Sequence, residues 1–166
     1  MTETDPSLSP HIRAFLDTIA WSELGDGLLT EATDNGYRVI VGSTAAAPIL
    51  FDSYADHPRK AIDIPHLHIY STAAGRYQIL ARYFDSYKLQ LGLRDFSPAS
   101  QDKIAVQMIH EVKAAPMIES GQIEQAITAC SSRWASFPGN NYGQGANRMD
   151  RLTAHYQTFL ARYGAH

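Results

Sequence analysis

Three short stretches, "GYRVIVGS" (36–43), "PILFDSY" (48–54) and "HLHIYS" (66–71), decide how this chain is read. They are rich in β-branched and aromatic residues, and Gly, Asp and Pro fall between them, which is the pattern of short strands joined by turns. The reading is a small antiparallel sheet over about residues 36–70. On either side the period changes to that of helices.

Upstream, Ile12, Phe15, Leu16 and Ile19 recur at helical spacing behind Ser9-Pro10, an N-cap followed by a first-turn proline. Downstream, Tyr77, Leu80, Ala81, Phe84, Tyr87 and Leu91 share one face that stops at Gly92. Ser97-Pro98 opens another helix with Ile104, Ala105, Met108, Ile109 and Val112 inward. A short helix follows in "GQIEQAITACS", and Met149, Leu152, Tyr156, Phe159, Leu160 and Tyr163 define the last. Helix, small sheet, then several helices is an α+β arrangement, with a sheet lobe and a larger helical lobe expected to flank a cleft.

The whole chain of 166 residues, 45% of them hydrophobic, is expected to form one domain. Its one cysteine, Cys130, leaves no internal disulfide. A net charge of −3 argues against a nucleic-acid binder held by a basic stripe. No apolar run is long enough for a membrane span, and "MTETDPSLSPHIR" lacks the layout of a signal peptide. No membrane insertion is therefore expected.

Glu23 is the residue that raises a chemical question. At about 100° per residue it lies on the stripe of Ile12, Leu16 and Ile19, where the helix runs into Gly25 and Gly27. A carboxyl group against apolar neighbours, beside the negative end of a helix, is pushed toward its neutral form. That suits a general acid for a poor leaving group such as a glycosidic oxygen. The plainer alternative is a carboxylate that ends a surface helix.

Two further stretches carry candidate ligand contacts. "STAAGRYQ" (71–78) places Ser71, Arg76, Tyr77 and Gln78 around small residues that let a bulky ligand approach. "SFPGNNYGQG" (136–145) is a Gly, Pro and Asn loop with Tyr142 and Gln144 on it. The reading has the Tyr142 hydroxyl orient the Glu23 carboxyl or meet substrate, and Gln78 or Gln144 bind a ligand hydroxyl group. Trp21 and Trp134 could stack on sugars, although Trp21 lies opposite the Glu23 stripe and reads as core.

Asp52, Asp56 and Asp63 fall in or near the sheet segment, where a second catalytic carboxylate would sit in a hydrolase, but they read first as turn and edge residues. His66 and His68, at i and i+2, would share a strand face, and His57 is close in sequence. They read as exposed strand histidines, and two ligands are too few for a zinc site, so neither a metal nor a cofactor is expected. "DHPRK" (56–60) reads as a turn offering Arg59 and Lys60 to carboxylates.

"AFLDTIAWSE", "GYRVIVG", "DSYADHPRK", "STAAGRYQ", "LQLGLRDFSPASQDKIAVQMI", "APMIESGQIEQAI" and "CSSRWASFPGNNYGQ" follow one another over Ala14 to Gln144. In their order and spacing the chain resembles the bacteriophage lambda endolysin family, lytic transglycosylases of lysozyme-like fold. Leu24 stands between Glu23 and Gly25, where the family has glycine directly after its glutamate. The resemblance implies a peptidoglycan substrate and Glu23 as the acid and base of a cleavage that consumes no water. It further implies a monomer made in the host cytoplasm and released to the periplasmic wall through a separate holin-type pore. A hydrolysing muramidase using Glu23 with an Asp of the sheet segment is the alternative enzyme, and a non-catalytic wall-binding module the third reading.

Overall fold

A computed structural model describes residues 2–139 and 146–164. Six α-helices are present among the described residues: α1 (Pro10–Leu24), α2 (Ala81–Leu91), α3 (Pro98–Glu111), α4 (Ala115–Glu119), α5 (Ile123–Cys130) and α6 (Met149–Arg162). One two-stranded antiparallel sheet pairs β1 (Ile62–Ile64) with β2 (Ile69–Ser71). The architecture is therefore α+β. No described helix is long and apolar enough to cross a membrane.

The chain divides into two compact units, Thr4–Glu23 with Ala105–His166, and Leu24–Ile104 with Met1–Glu3. In the first, α1 is the central element. The Ser9 hydroxyl accepts the Ile12 N–H (3.1 Å), so an orphan donor of the first turn is satisfied ahead of the proline. Ile12, Ala14, Phe15, Leu16, Ile19 and Ala20 are all buried, and α6 supplies Leu152, Tyr156, Phe159 and Leu160 to the same core. α5 buries Ile123, Ala126, Ile127 and Cys130 and packs on α4 and α6. The short α4 has only Ala115 and Ile118 buried, too few positions to show a helical period in the sequence.

The sheet of the second unit is smaller than the residue pattern suggests. Only Ile62↔Ser71, Asp63↔Tyr70 and Ile64↔Ile69 pair as strands. "GYRVIVGS" and "PILFDSY" meet at a single bridge, Val39↔Leu50, flanked by Ile40 N–H to Ile49 O (2.8 Å) and Phe51 N–H to Arg38 O (3.1 Å). Gly42 turns the backbone to φ +85°, and the Ser43 hydroxyl takes over beyond it. It donates to Ile40 O (2.6 Å) and accepts the Ile49 N–H (2.9 Å), bonds that a longer ladder would make with backbone.

Tyr77 and Leu80 also differ from their helical reading, because α2 begins only at Ala81. Residues 75–78 form a turn closed by the Ala74↔Ile79 bridge, and Tyr77 lies inside it rather than on the helix. Gly75 has φ +78°, and a Cβ there would stand 2.2 Å from Gln101 Oε1, the atom that accepts the Arg76 N–H. Gly75→Ala is expected to destabilise the protein by about 2–4 kcal/mol, combining left-handed strain with displacement of a buried amide. Urea unfolding checks this: the midpoint should fall while the slope stays unchanged.

Candidate functional site

Glu23 ends the helical unit's share of α1 and is half-buried. Two residues earlier, Trp21 is buried and stacks on His155 of α6 with centroids 3.7 Å apart, with the Arg151 guanidinium over its ring. Trp21 is thus core, as its position opposite the Glu23 stripe suggests. This contact fixes the last turn of α1 against α6.

The partner of the carboxyl comes from the segment after α5. Trp134 and Phe137 are both buried, and Phe137 meets Phe15 of α1 edge to face at 6.0 Å. These two anchors bracket Ser136. Its hydroxyl donates to Glu23 Oε1 at 2.5 Å and accepts from the Ser22 hydroxyl at 2.8 Å. Asn147 Nδ2 donates in turn to Ser22 Oγ (3.0 Å) and to the Ser22 carbonyl (3.2 Å). The Asn147 N–H closes the arrangement on Ser136 O at 2.8 Å.

Burial pushes the Glu23 carboxyl up to about 7, with the Ser136 hydroxyl and backbone bonds acting in the opposite direction. Among the described residues no charged side chain figures in that shift. A carboxyl so placed is part neutral and part ionised at neutral pH, able both to give and to take a proton.

The remaining candidates divide into two groups. Arg76 and Tyr77 are 2% and 1% exposed, and their polar groups bond inside the sheet-bearing unit. The Tyr77 hydroxyl donates to Asp102 Oδ1 (2.6 Å), beside that of Tyr37 (2.8 Å), while an Arg76 Nη donates to Asn35 O. Gln78 and Ser71 are half-buried. Gln78 has φ 50° and its amide donates to Gly75 O (2.9 Å); the Ser71 hydroxyl accepts the Ala73 N–H (3.2 Å). Tyr142 and Gln144 lie outside the described residues.

His66 and His68 are exposed, as expected, but lie off the strands, while His57 departs from that reading altogether. Pro65–Leu67 is a single 3-10 turn and His68 is left-handed at φ 53°, because this is where β1 reverses into β2, so His66 and His68 share no strand face. His57 is buried between Phe84 and Phe96, with Nε2 on Ile79 O (2.9 Å) and Nδ1 accepting the Arg59 N–H (3.0 Å). Burial lowers its pKa below the ordinary histidine value, so it is a neutral turn-former. Among the described residues no three metal-ligating groups gather.

Arg59 is likewise engaged within its own unit, bridging Asp56 (2.9 Å) and Asp85 (2.6 Å), where it was read as free to meet ligand carboxylates. Asp52 pairs with Arg38 at 3.2 Å. Asp63 is exposed on β1.

The Ser22, Ser136 and Asn147 set is what reading the sequence misses. Ser22 and Ser136 lie within stretches singled out for their neighbours, but nothing local links residues 114 positions apart.

Comparison with known proteins follows this geometry. A family model described as Endolysin matches residues 13–163. The chain is 50% identical over 146 residues to the endolysin of Escherichia phage lambda, covering 87% of this chain and 88% of the relative. It is 41% identical over 159 residues to the endolysin of Escherichia phage P2, covering 92% and 96%. Among solved structures, bacteriophage lambda lysozyme complexed with a chitohexasaccharide superposes with a TM-score of 0.83 at 46% identity, over 96% of this chain and 97% of the other. A second structure, lysozyme from bacteriophage lambda, gives 0.80 at 45% identity over the same shares. The fold is lysozyme-like, and the chain belongs to the endolysin family.

Proposed function

We propose that this endolysin cleaves the bond between N-acetylmuramic acid and N-acetylglucosamine in peptidoglycan as a lytic transglycosylase, with residues 1–166 acting as one catalytic domain. The observation that carries this is Glu23, a carboxyl raised to about 7 by burial with no second carboxylate acting on it among the described residues. The glycan bound by the lambda lysozyme relative supports a sugar polymer as substrate.

In this mechanism protonated Glu23 gives its proton to the leaving glycosidic oxygen as the bond to C1 breaks. The resulting carboxylate takes the proton of the muramoyl C6 hydroxyl as that oxygen bonds to C1. Glu23 ends protonated again, no water is consumed, and the product is a 1,6-anhydro sugar. Because the substrate brings its own nucleophile, one carboxyl replaces the pair that ordinary glycosidases use.

Half-buried Gln78 and Ser71, with Tyr142 and Gln144, are assigned contacts to the glycan. Arg76 and Tyr77, held from inside, are assigned the task of fixing the turn that presents Gln78. The protein acts as a monomer, made in the bacterial cytoplasm and reaching the periplasmic wall through a separate pore, for host lysis.

A hydrolysing muramidase is the second reading, favoured by the name lysozyme on the matched structures. It requires a second carboxylate; Asp52 pairs with Arg38 and Asp56 with Arg59, which leaves exposed Asp63 of β1 as its candidate. Mass spectrometry of muropeptides released from Gram-negative peptidoglycan separates the two. Transglycosylation gives products lighter by one water and inert to borohydride; reducing ends would establish hydrolysis and overturn the proposal.

A further inference from the structure

Asn147, Ser22 and Ser136 form a chain of donors with a fixed direction. The Asn147 group that meets Ser22 also meets the Ser22 carbonyl, which only accepts, so it is the amide NH₂ and donates at both contacts. Ser22 Oγ therefore receives a hydrogen bond and turns its own hydrogen to Ser136 Oγ, 2.8 Å away. Ser136 in turn points its hydrogen at Glu23 Oε1. Each hydroxyl has one hydrogen, so fixing the first fixes the second.

We propose that this chain makes the two oxygens of Glu23 unequal: Oε1 is held as an acceptor by the Ser136 hydroxyl, and the acidic proton resides on Oε2. Ser136 is thus a positioning residue, with Ser22 and Asn147 setting its orientation. The inference rests on Glu23 being the acid, and it adds what the chain does for both halves of the reaction. Before transfer it keeps the proton off the occupied oxygen. After transfer the same hydroxyl donates to a carboxylate, and a hydrogen bond to an ionised acceptor is about twice as strong as a neutral one.

Among the described residues no charged side chain acts on the Glu23 carboxyl. On α6, Arg151 and His155 lie against the Trp21 ring; on the chain beyond α1, Asp26 is exposed. The Ser136 hydroxyl on Oε1, with the Ser136 backbone bond to the carboxyl, is accordingly the main favourable influence on the ionised form among the described residues.

The test is a ¹³C NMR titration of the Glu23 side-chain carboxyl, run beside the pH dependence of kcat and KM on peptidoglycan. Ser136→Ala should move the carboxyl midpoint and the alkaline limb of kcat upward together by about one pH unit, since a hydrogen bond to the charged form is lost. At the pH of the wild-type optimum kcat should fall about tenfold or more with KM little changed. Ser22→Ala and Asn147→Ala should give smaller shifts of the same sign, and Ser136→Thr, which keeps the hydroxyl, should restore the wild-type profile. A Ser136→Ala protein that folds normally with an unmoved midpoint would overturn the chain. Glu23→Gln run in parallel keeps the failures apart: full activity in that variant defeats the acid assignment itself, whereas an inactive Glu23→Gln beside an unshifted Ser136→Ala defeats only this inference. If Ser136→Ala does not fold, Asn147→Ala carries the same midpoint test.

Discussion

Glu23→Gln is expected to slow peptidoglycan cleavage by about 10²- to 10⁴-fold, the range supplied by a positioned acid and base. The amide keeps the shape of the side chain and still offers Oε1 to the Ser136 hydroxyl, so the bonds among residues 22, 136 and 147 survive the change. Loss of activity would therefore report the missing proton. The same variant should be more stable than the wild type above neutral pH. With a folded pKa of about 7 against an ordinary value of 4.5, wild-type Glu23 binds more protons folded than unfolded between those limits. Stability from this group is fully present below about 4.5 and is lost as pH rises through about 7. Gln cannot ionise and escapes the loss. The gain should be near zero at pH 4 and reach about 1–3 kcal/mol at pH 8.5, the upper figure being the whole shift and the lower one its value after solvent screening of a half-buried group. Chemical unfolding of both proteins at the two pH values measures it. A gain that does not grow with pH would mean that the carboxyl is not desolvated.

Glu23 was legible in the sequence because its environment is local. The stripe of Ile12, Leu16 and Ile19, the Ser9-Pro10 start and the glycines beyond Leu24 lie within one helix, and that helix formed where they place it. The helices expected downstream formed for the same reason; α4, too short to show a period, is not among those expected. What the sequence hides is long-range. Ser136 reaches Glu23 across 113 positions, held there by aromatic contacts that no periodicity encodes. Arg76 and Tyr77 read as ligand-facing groups because an Arg-Tyr pair after a glycine looks the same whether its partner is a ligand or an interior carboxylate. Here the partner of Tyr77 is Asp102, 25 residues on. The sheet was overread because β-branched composition marks extended backbone, while pairing also needs an uninterrupted ladder, and Gly42 and Ser43 interrupt it.

Asp102 is where the second large effect is expected. Its side chain sits on α3 at 2% exposure, and a single oxygen, Oδ1, accepts from both Tyr37 and Tyr77. Burial first, and then the charge of Asp102, push both phenols well above their ordinary range, so both remain donors at any working pH. Their rings meet edge to face at 6.3 Å, and both residues are buried. Asp102→Ala would strand two buried hydroxyls and open a small cavity, at a cost of about 3–5 kcal/mol. Asp102→Asn keeps an acceptor oxygen at the same place and should cost about 1–2 kcal/mol, less because the hydrogen bonds persist without the charge. Urea midpoints rank the variants, and amide hydrogen exchange locates the damage. Protection should drop first at Gln78 and Ile79, whose N–H groups close the turn on Gly75 and Ala74. Equal losses for the Ala and Asn variants would mean that packing, not acceptance of two hydroxyls, is what Asp102 supplies. A larger loss for Ala would identify an interior carboxylate, distant in sequence, as the support of the turn that carries Gln78.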